Sequence, residues 1–588
     1  MAHPRPIDAR PGWFRTLAVP IGAFSRQAMF AYGTIVLLQL KVIWGSWRLR
    51  DLTTGDTAYY FIDAYEFYRN WGNSIAWSPL YTSFYGALLY LDPDPYFVTI
   101  LHRVLIVLTL AMLVLAVMRR LLPHPAAWLV AAWWTLLPIN FDALYEVHLF
   151  GVIPVLLAWM AILRPGRGGR AWAVAILLAA AMLIRNELLV AAGLVAAADV
   201  AHAWRVGRGA AGALARVCRD TLRSYGAPLA AAAVLVCVFY SQSRVRWPAL
   251  GAALGAKHTL NVCQVYAFGH QQRHPEWRGS PWTECADIMQ RDFRASDLTM
   301  AEAFRRNPRA MMDHFVWNLT LLPSGLQVLL FNEMSGQVNP DFAPVTGGSS
   351  RALAASILLL AILLSGSLLF AGDLRGVWND GLKDRIWSWT AMGAVAIGVV
   401  LVSIMQRPRP SYMFALGLAA MASAGMSMHL VARRWSALHR WPPLFPVLVV
   451  MIIALAPRYY AQPHRFVGRP LLDAYRRLSP FADLMKRRDT VIVTPGYGGE
   501  LCSYLAVDDG RTCQGAWFYA LRDAIRPGQE WADVLREQKA TLFYADHQVL
   551  GEPVVQPFTS DPVRHGWAMI AFQRVRGQEW KLFQRIAP

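Results

Sequence analysis

The chain has 588 residues, of which 55% are hydrophobic, and a formal net charge of +19. Soluble domains are typically about 45–50% apolar. Here the excess gathers in continuous runs of the roughly 20 residues that cross ~30 Å of hydrocarbon, which excludes a soluble globular protein and, because the runs do not alternate, a β-barrel. The positive charge would suggest nucleic acid in a soluble protein. In this chain it fills short loops on one side of a membrane, where it sets orientation and attracts anionic lipid, so no nucleic-acid partner is expected.

The expected fold class is a polytopic α-helical membrane protein of about eleven transmembrane helices with a small C-terminal α/β domain outside the cytoplasm. In chain order the spans are expected near 28–47, 97–117, 125–140, 147–163, 171–185, 187–203, 226–243, 352–371, 387–404, 411–431 and 443–457. The N-terminus is basic (Arg5, Arg10, Arg15, Arg26), and so are the loops with Arg119-Arg120, Arg164 to Arg170, Arg205 to Arg223 and Arg433 to Arg440. The positive-inside rule places all of these in the cytoplasm of a plasma (inner) membrane. The first span reads as an anchor with a basic leader, with no cleaved signal peptide. Outside lie the 48–96 loop, the 244–351 loop and the tail, giving a transmembrane module over 1–457 and an extracytoplasmic, periplasmic-type domain over 458–588.

The first external loop opens with GDTAYY, residues 55–60. Asp56 is placed to act as a general base toward an acceptor hydroxyl, and equally to cap the helix that follows. Asp63 lies seven residues on, on nearly the same helix face, with Tyr59 and Tyr60 beside it as ligand-facing rings. The run NWGNSIAWSPLYTSFYGALLYL (70–91) reads as a helix end, a proline-led helix start and an interfacial aromatic belt. In LDPDPYFVTILHRVL (91–105), Asp92 and Asp94 could hold a divalent metal, though the two prolines favour a turn. Arg103, near the outer end of the second span, asks for an anion or for snorkelling to the surface.

Similar polar insertions mark other external span ends: Tyr145, Glu146 and His148; Arg185, Asn186 and Glu187; Arg407, Arg409 and Tyr412 in QRPRPSY. Excess arginine outside runs against the positive-inside trend and points to a phosphate site, or to salt-bridged turns. The long 244–351 loop carries no motif that can be placed, beyond a weak sequon at Asn318. In the tail, 490–494 and 541–546 read as strands, 528–540 as a helix and 580–586 as a closing strand, after an amphipathic run over 471–489. Cys263 and Cys285 fall in the long loop and Cys502 and Cys513 in the tail, so two local disulfides are expected, with buried thiols as the alternative. Spacings of 22 and 11 residues do not suit a zinc knuckle. No Walker loop, GxSxG or HExxH is present.

GDTAYY, WSPLYTSFYGALLY, Arg103, RNELLV (185–190) and RPSYMFALGLAAMA (409–422) together resemble the GT-C superfamily of membrane glycosyltransferases, in particular the lipid-linked-sugar enzymes related to aminoarabinose transferases and protein O-mannosyltransferases. The resemblance covers most of the chain. It implies inverting transfer from a polyprenyl-phosphate sugar to a glycan, lipid or protein acceptor on the outer face. Asp56 would be the catalytic base, and Arg103, Arg185 and Arg407 or Arg409 would hold the donor phosphate. Tyr59, Tyr60, Asp63, Glu146, His148, Glu187 and Tyr412 would lie toward substrate. The chain departs from the family where Gly55 replaces the first residue of an acidic pair and where Pro410-Ser411 splits an Arg-Tyr dipeptide, which leaves the phosphate ligand open. No metal or other cofactor is implied. A lipid or sugar transporter, which would want polar residues at mid-span, and a non-catalytic envelope assembly protein are the competing readings.

Overall fold

The computed structural model describes residues 28–74, 78–137, 146–207, 213–243, 247–340, 348–372, 383–434, 445–458, 469–487, 489–496, 498–505, 513–575 and 578–586. The chain divides into two compact units, one of residues 1–45 with 103–462 and the other of 46–102 with 463–588.

The first unit is helical. Among the described residues of the chain, eight helices are long and apolar enough to cross a membrane: Ala28–Arg48, Pro95–Leu121, Leu188–Val206, Leu214–Ser241, Pro308–Phe331, Ser350–Gly372, Arg385–Met405 and Phe414–Arg434. The shorter helices His124–Leu136, Val152–Ile162, Arg167–Leu183 and Phe445–Leu455 occupy the remaining expected spans. All eleven apolar runs are therefore helical within the described residues. Exposed apolar side chains such as Leu358, Leu364 and Leu368 line their outer faces, as expected of helices that meet lipid rather than water. At one end of the bundle, Asp199 is fully buried and accepts from Arg167 at 2.8 Å, Arg170 at 2.5 Å and Tyr225 at 3.2 Å. A carboxylate placed so deep needs such cations.

The stretch expected to be a loop, 244–351, is instead largely helical, and this corrects the reading. It holds Trp247–Arg273, Cys285–Phe293, Met300–Arg306 and Pro308–Phe331. The first three build a small module stapled by Cys263–Cys285, around a core of Val262, Tyr266, Ile288, Met289 and Phe293. The last meets several neighbours near their ends and others further in, as where His314 packs on Tyr266 and Gln327 donates to Ser356 at 2.7 Å. Asn318 donates to Ile404 O and Gln406 O, each at 2.9 Å. A Cβ on Gly325 would stand 2.3 Å from Pro408 O, and one on Gly417 would stand 2.6 Å from Leu329. Trp133 donates to Leu330 O at 3.1 Å. From His314 to Leu330 the helix advances about 24 Å, yet the partners of Asn318, Gly325, Leu329 and Leu330 lie within about a turn of a neighbouring helix end. These contacts set that stretch of the helix beside those ends. The Asn318 side chain is buried, so the sequon there is not displayed.

The second unit joins the first loop to the tail. Its sheet has the order β2-β1-β3-β5-β4, with β1 Thr490–Thr494, β2 Cys513–Trp517, β3 Leu542–Ala545, β4 Trp567–Val575 and β5 Gln578–Arg585. β2, β1 and β3 run parallel, and β5 and β4 close the sheet antiparallel. Trp531, Phe543, Phe558, Trp567 and Phe583 fill the core on one face. The helix Gly498–Leu505 is tied to the start of β2 by Cys502–Cys513. Gly498 and Gly515 meet back to back, where a Cβ on Gly515 would come within 1.8 Å of Gly498 C. Only glycine allows so close a crossing of backbones. The loop contributes the helices Asp56–Asn70 and Pro79–Leu88, also in near backbone contact, since a Cβ on Gly86 would lie 2.2 Å from Ala64 O.

Two outcomes follow. Gly515→Ala forces the 498–505 helix off β2, so the variant should melt at lower temperature and retain titratable thiols at positions 502 and 513. In the module of the first unit, His270 is 4% exposed. Burial, then Arg291 and His274, lower its pKa to about 4, with Arg273 adding to the effect and Asp292 opposing it. A depressed histidine contributes stability that is complete above its unfolded value, near 6.5, and lost as pH falls toward 4. His270→Asn should flatten the decline in melting temperature between pH 6.5 and pH 4, measured in detergent. An unchanged slope would remove His270 as its source.

Candidate functional site

In the first unit the expected polar residues at the helix ends assemble from four chain segments. Arg103 enters from the helix Pro95–Leu121, Glu146 and His148 from the one-turn helix Glu146–Phe150, and Arg185 and Glu187 from the turn after Arg167–Leu183. Arg407, Arg409 and Tyr412 come from the turn before Phe414–Arg434, which passes through a 3-10 turn at Pro410–Tyr412. That turn exists because proline bars continuation of the helix ending at Met405.

The contacts are specific. Arg103, 4% exposed, pairs with the fully buried Glu146 at 3.6 Å. Arg185 donates to His148 Nδ1 and pairs with Glu187 at 2.5 Å. His148 stacks on Tyr412 with ring centroids 5.1 Å apart and planes 24° from parallel. The same ring carries the Arg185 guanidinium at 5.0 Å and that of Arg409 at 5.6 Å, and Arg407 sits over Phe268 at 4.4 Å. Cations held on ring faces keep their N–H edges directed elsewhere. Arg103 and Arg185 carry the carboxylate partners that a salt-bridged turn requires, while ring faces place Arg407 and Arg409.

In the second unit Asp56 is exposed and opens the helix Asp56–Asn70 as its first residue. It is not the cap. That position belongs to Gly55, whose φ of 61° suits glycine, and whose N–H donates at 3.1 Å to Glu500 Oε1. Among the described residues no hydrogen bond is made to the Asp56 carboxylate. Tyr59, one turn on, is 46% exposed, and its hydroxyl would lie 3.3 Å from a Cβ on Gly499. Burial, then Glu500 and Asp56, push its pKa up. Tyr60 turns inward, with its ring edge-on to Tyr81 at 5.4 Å. Asp63 is half-buried on the same helix, about 10 Å along the axis from Asp56, too far to share one ligand atom.

The sequence reading missed Glu500, Tyr504 and Asp51. Tyr504 shares a 2.7 Å hydrogen bond with the Thr53 hydroxyl and packs on Phe61 at 4.9 Å. The Asp51 carboxylate accepts from Leu52, Leu471 and Leu472 at 2.8, 3.0 and 2.7 Å. Its burial pushes the pKa up against those three donors. The sequence offered one signal, a glutamate beside the Gly-Tyr-Gly-Gly turn. Asp92 and Asp94 accept the N–H of Asp94 and Tyr96 at 2.9 and 3.0 Å, so their carboxylates shape the turn into the next helix. Among the described residues no three His, Cys, Asp or Glu side chains gather as a metal site would need.

No protein-family model and no curated protein matches the chain.

Removing one member of a buried ion pair strands the other, at about 3–5 kcal/mol, whereas an apolar pair of similar volume can restore the loss. Glu146→Ala should therefore lower thermal stability sharply, and Arg103→Met with Glu146→Leu should recover most of it. A single variant as stable as the parent would show that the pair does not hold this end of the bundle.

Proposed function

We propose that the chain is a membrane glycosyltransferase of GT-C type that moves a sugar from a polyprenyl-phosphate donor to an acceptor hydroxyl on the outer face, with inversion. The observation that carries this reading is the cluster at the helix ends, where four arginines from three chain segments gather around His148 and Tyr412. Such a gathering of guanidinium groups at a membrane boundary suits the phosphate of a lipid-linked sugar. In the step, the acceptor oxygen bonds to the anomeric carbon as the bond from that carbon to the phosphate oxygen breaks. Its electron pair leaves on the phosphate, which the arginines stabilise as charge develops. The acceptor proton passes to Asp56, whose carboxylate is exposed and not spent on a helix cap. Attack from the face opposite the leaving group gives inversion. Tyr59 and Glu500 flank Asp56 and would position the acceptor.

The topology belongs to the same proposal. Both disulfides need an oxidising compartment, so an even number of crossings separates Cys285 from Cys502. Among the described residues five apolar helices lie between them. The count is even if the one at 308–331, absent from the spans expected from sequence, stays outside and the other four cross. The 247–340 region and the tail then share the outer side of a plasma (inner) membrane, periplasmic where an outer membrane exists, with eleven spans in all.

Asp56→Asn should remain folded and membrane-inserted and lose sugar transfer from a polyprenyl-phosphate donor by roughly 10²- to 10⁴-fold, the usual worth of a general base. Transfer at the parent rate would sink this mechanism. A parent protein that transfers from no lipid-linked donor, yet moves such a lipid between leaflets, would favour the transporter.

A further inference from the structure

The end of the bundle opposite the arginine cluster carries a second built feature. A groove of about 540 Å³ opens between the end of Pro95–Leu121, the end of Val152–Ile162 and the start of Arg167–Leu183. Its walls are Leu157, Met160, Trp172 and Ile176, and Arg120 and Arg164 stand at its rim. Leu157 is 43% and Trp172 44% exposed, and both project from apolar helices, so the wall faces hydrocarbon. Tryptophan at such a level sits where headgroups begin.

The rim is cationic. Arg120 Nη1 donates to Met160 Sδ at 3.1 Å, a weak acceptor. Among the described residues no carboxylate lies within ion-pair distance of Arg120 or Arg164, in contrast to the neighbouring Arg167 and Arg170, which are neutralised by Asp199. The groove also opens at the N-terminus of a 17-residue helix, whose first N–H groups and dipole favour an anion. Gly169 brings that terminus in, since a Cβ there would stand 2.5 Å from Ala161 O.

We propose that this groove binds an anionic membrane phospholipid, with its phosphate between Arg120 and Arg164 and an acyl chain along Leu157, Met160, Trp172 and Ile176. Apolar walls open to hydrocarbon select a lipid over a free phosphate. Two arginines without carboxylate partners select an anionic headgroup over a zwitterionic one. The site stands apart from the donor phosphate cluster and would lie on the cytoplasmic side, where such lipids bind basic pockets between helices.

The test is native mass spectrometry of the full chain in detergent, incubated with phosphatidylglycerol or with phosphatidylcholine of identical acyl chains. The parent should retain phosphatidylglycerol in preference by about thirtyfold, as expected for two arginines near an anionic surface. Arg120→Ala with Arg164→Ala should bring the ratio close to one, and Arg120→Lys with Arg164→Lys should keep most of it. Arg216→Ala with Arg219→Ala, which removes equal charge elsewhere, should leave the ratio unchanged. Equal retention of both lipids by the parent, or an alanine pair that keeps the preference at parental melting temperature, overturns the proposal. Competition by millimolar inorganic phosphate would identify a free-anion site and overturn the lipid assignment.

Discussion

A charge in hydrocarbon costs several kcal/mol unless it reaches water or meets a partner, and the first unit is arranged around that penalty. Its ionisable groups are pushed to the two ends of the helices. At one end Asp199 draws in Arg167, Arg170 and Tyr225. At the other, Arg103 meets Glu146, and Arg185 meets Glu187 and His148. Between them the helices present Leu, Ile, Val and Ala. The Arg103–Glu146 and Arg185–His148 contacts join segments about 40 residues apart, and Asp199 ties its own helix to the ones before and after it, so these residues also help fix which helices are neighbours. The ends differ in kind: one buries an acid among cations, and the other sets arginines on aromatic faces.

The second unit uses another device. Its two chain segments are separated by more than 350 residues, and polar groups from each satisfy backbone donors of the other. Asp51 takes the N–H groups of Leu471 and Leu472 at the start of a tail helix. Glu500 takes the N–H of Gly55 at the start of a loop helix. Helix starts expose unsatisfied donors, and a carboxylate from a remote segment meets that need while joining the segments. Because Glu500 serves the helix at Gly55, the Asp56 carboxylate is released from capping, the role that its place before TAYYFIDAYEFY would otherwise assign.

This explains where the sequence was legible. Every continuous apolar run became a helix, since hydropathy over about 20 residues is a strong local signal. In the tail, Thr490–Thr494, Leu542–Ala545 and Gln578–Arg585 became strands close to the expected ranges. Both disulfides joined the expected cysteines. The helix 308–331 was missed because polar residues and Pro323 interrupt it, leaving no clean apolar stripe. Trp247–Arg273 was missed because its apolar residues are spread all round the helix, with no face to read. β2 was missed because QGA in its middle lacks β-branched residues, and glycine is there for the sake of Gly498. Glu500 and Asp51 were illegible because their partners lie hundreds of residues away, and pairing over that distance leaves no local pattern.

The same logic separates the two cationic regions of the first unit. Arginine at a cytoplasmic helix end is expected from orientation alone, so charge by itself says nothing about ligands there. Neutralisation is what discriminates. Arg167 and Arg170 share Asp199 and serve the fold. Arg120 and Arg164, a short distance along the same surface, border an apolar groove with no acid in reach among the described residues. At the opposite end, arginine is unexpected on orientation grounds, and its gathering from three segments costs loop length and desolvation that orientation does not require. A bundle needing only to stand in a membrane would place polar, uncharged turns at that end. In the proposed function, the arginines at 103, 185, 407 and 409 would meet the phosphate of a lipid-linked donor at the membrane boundary where those helices end.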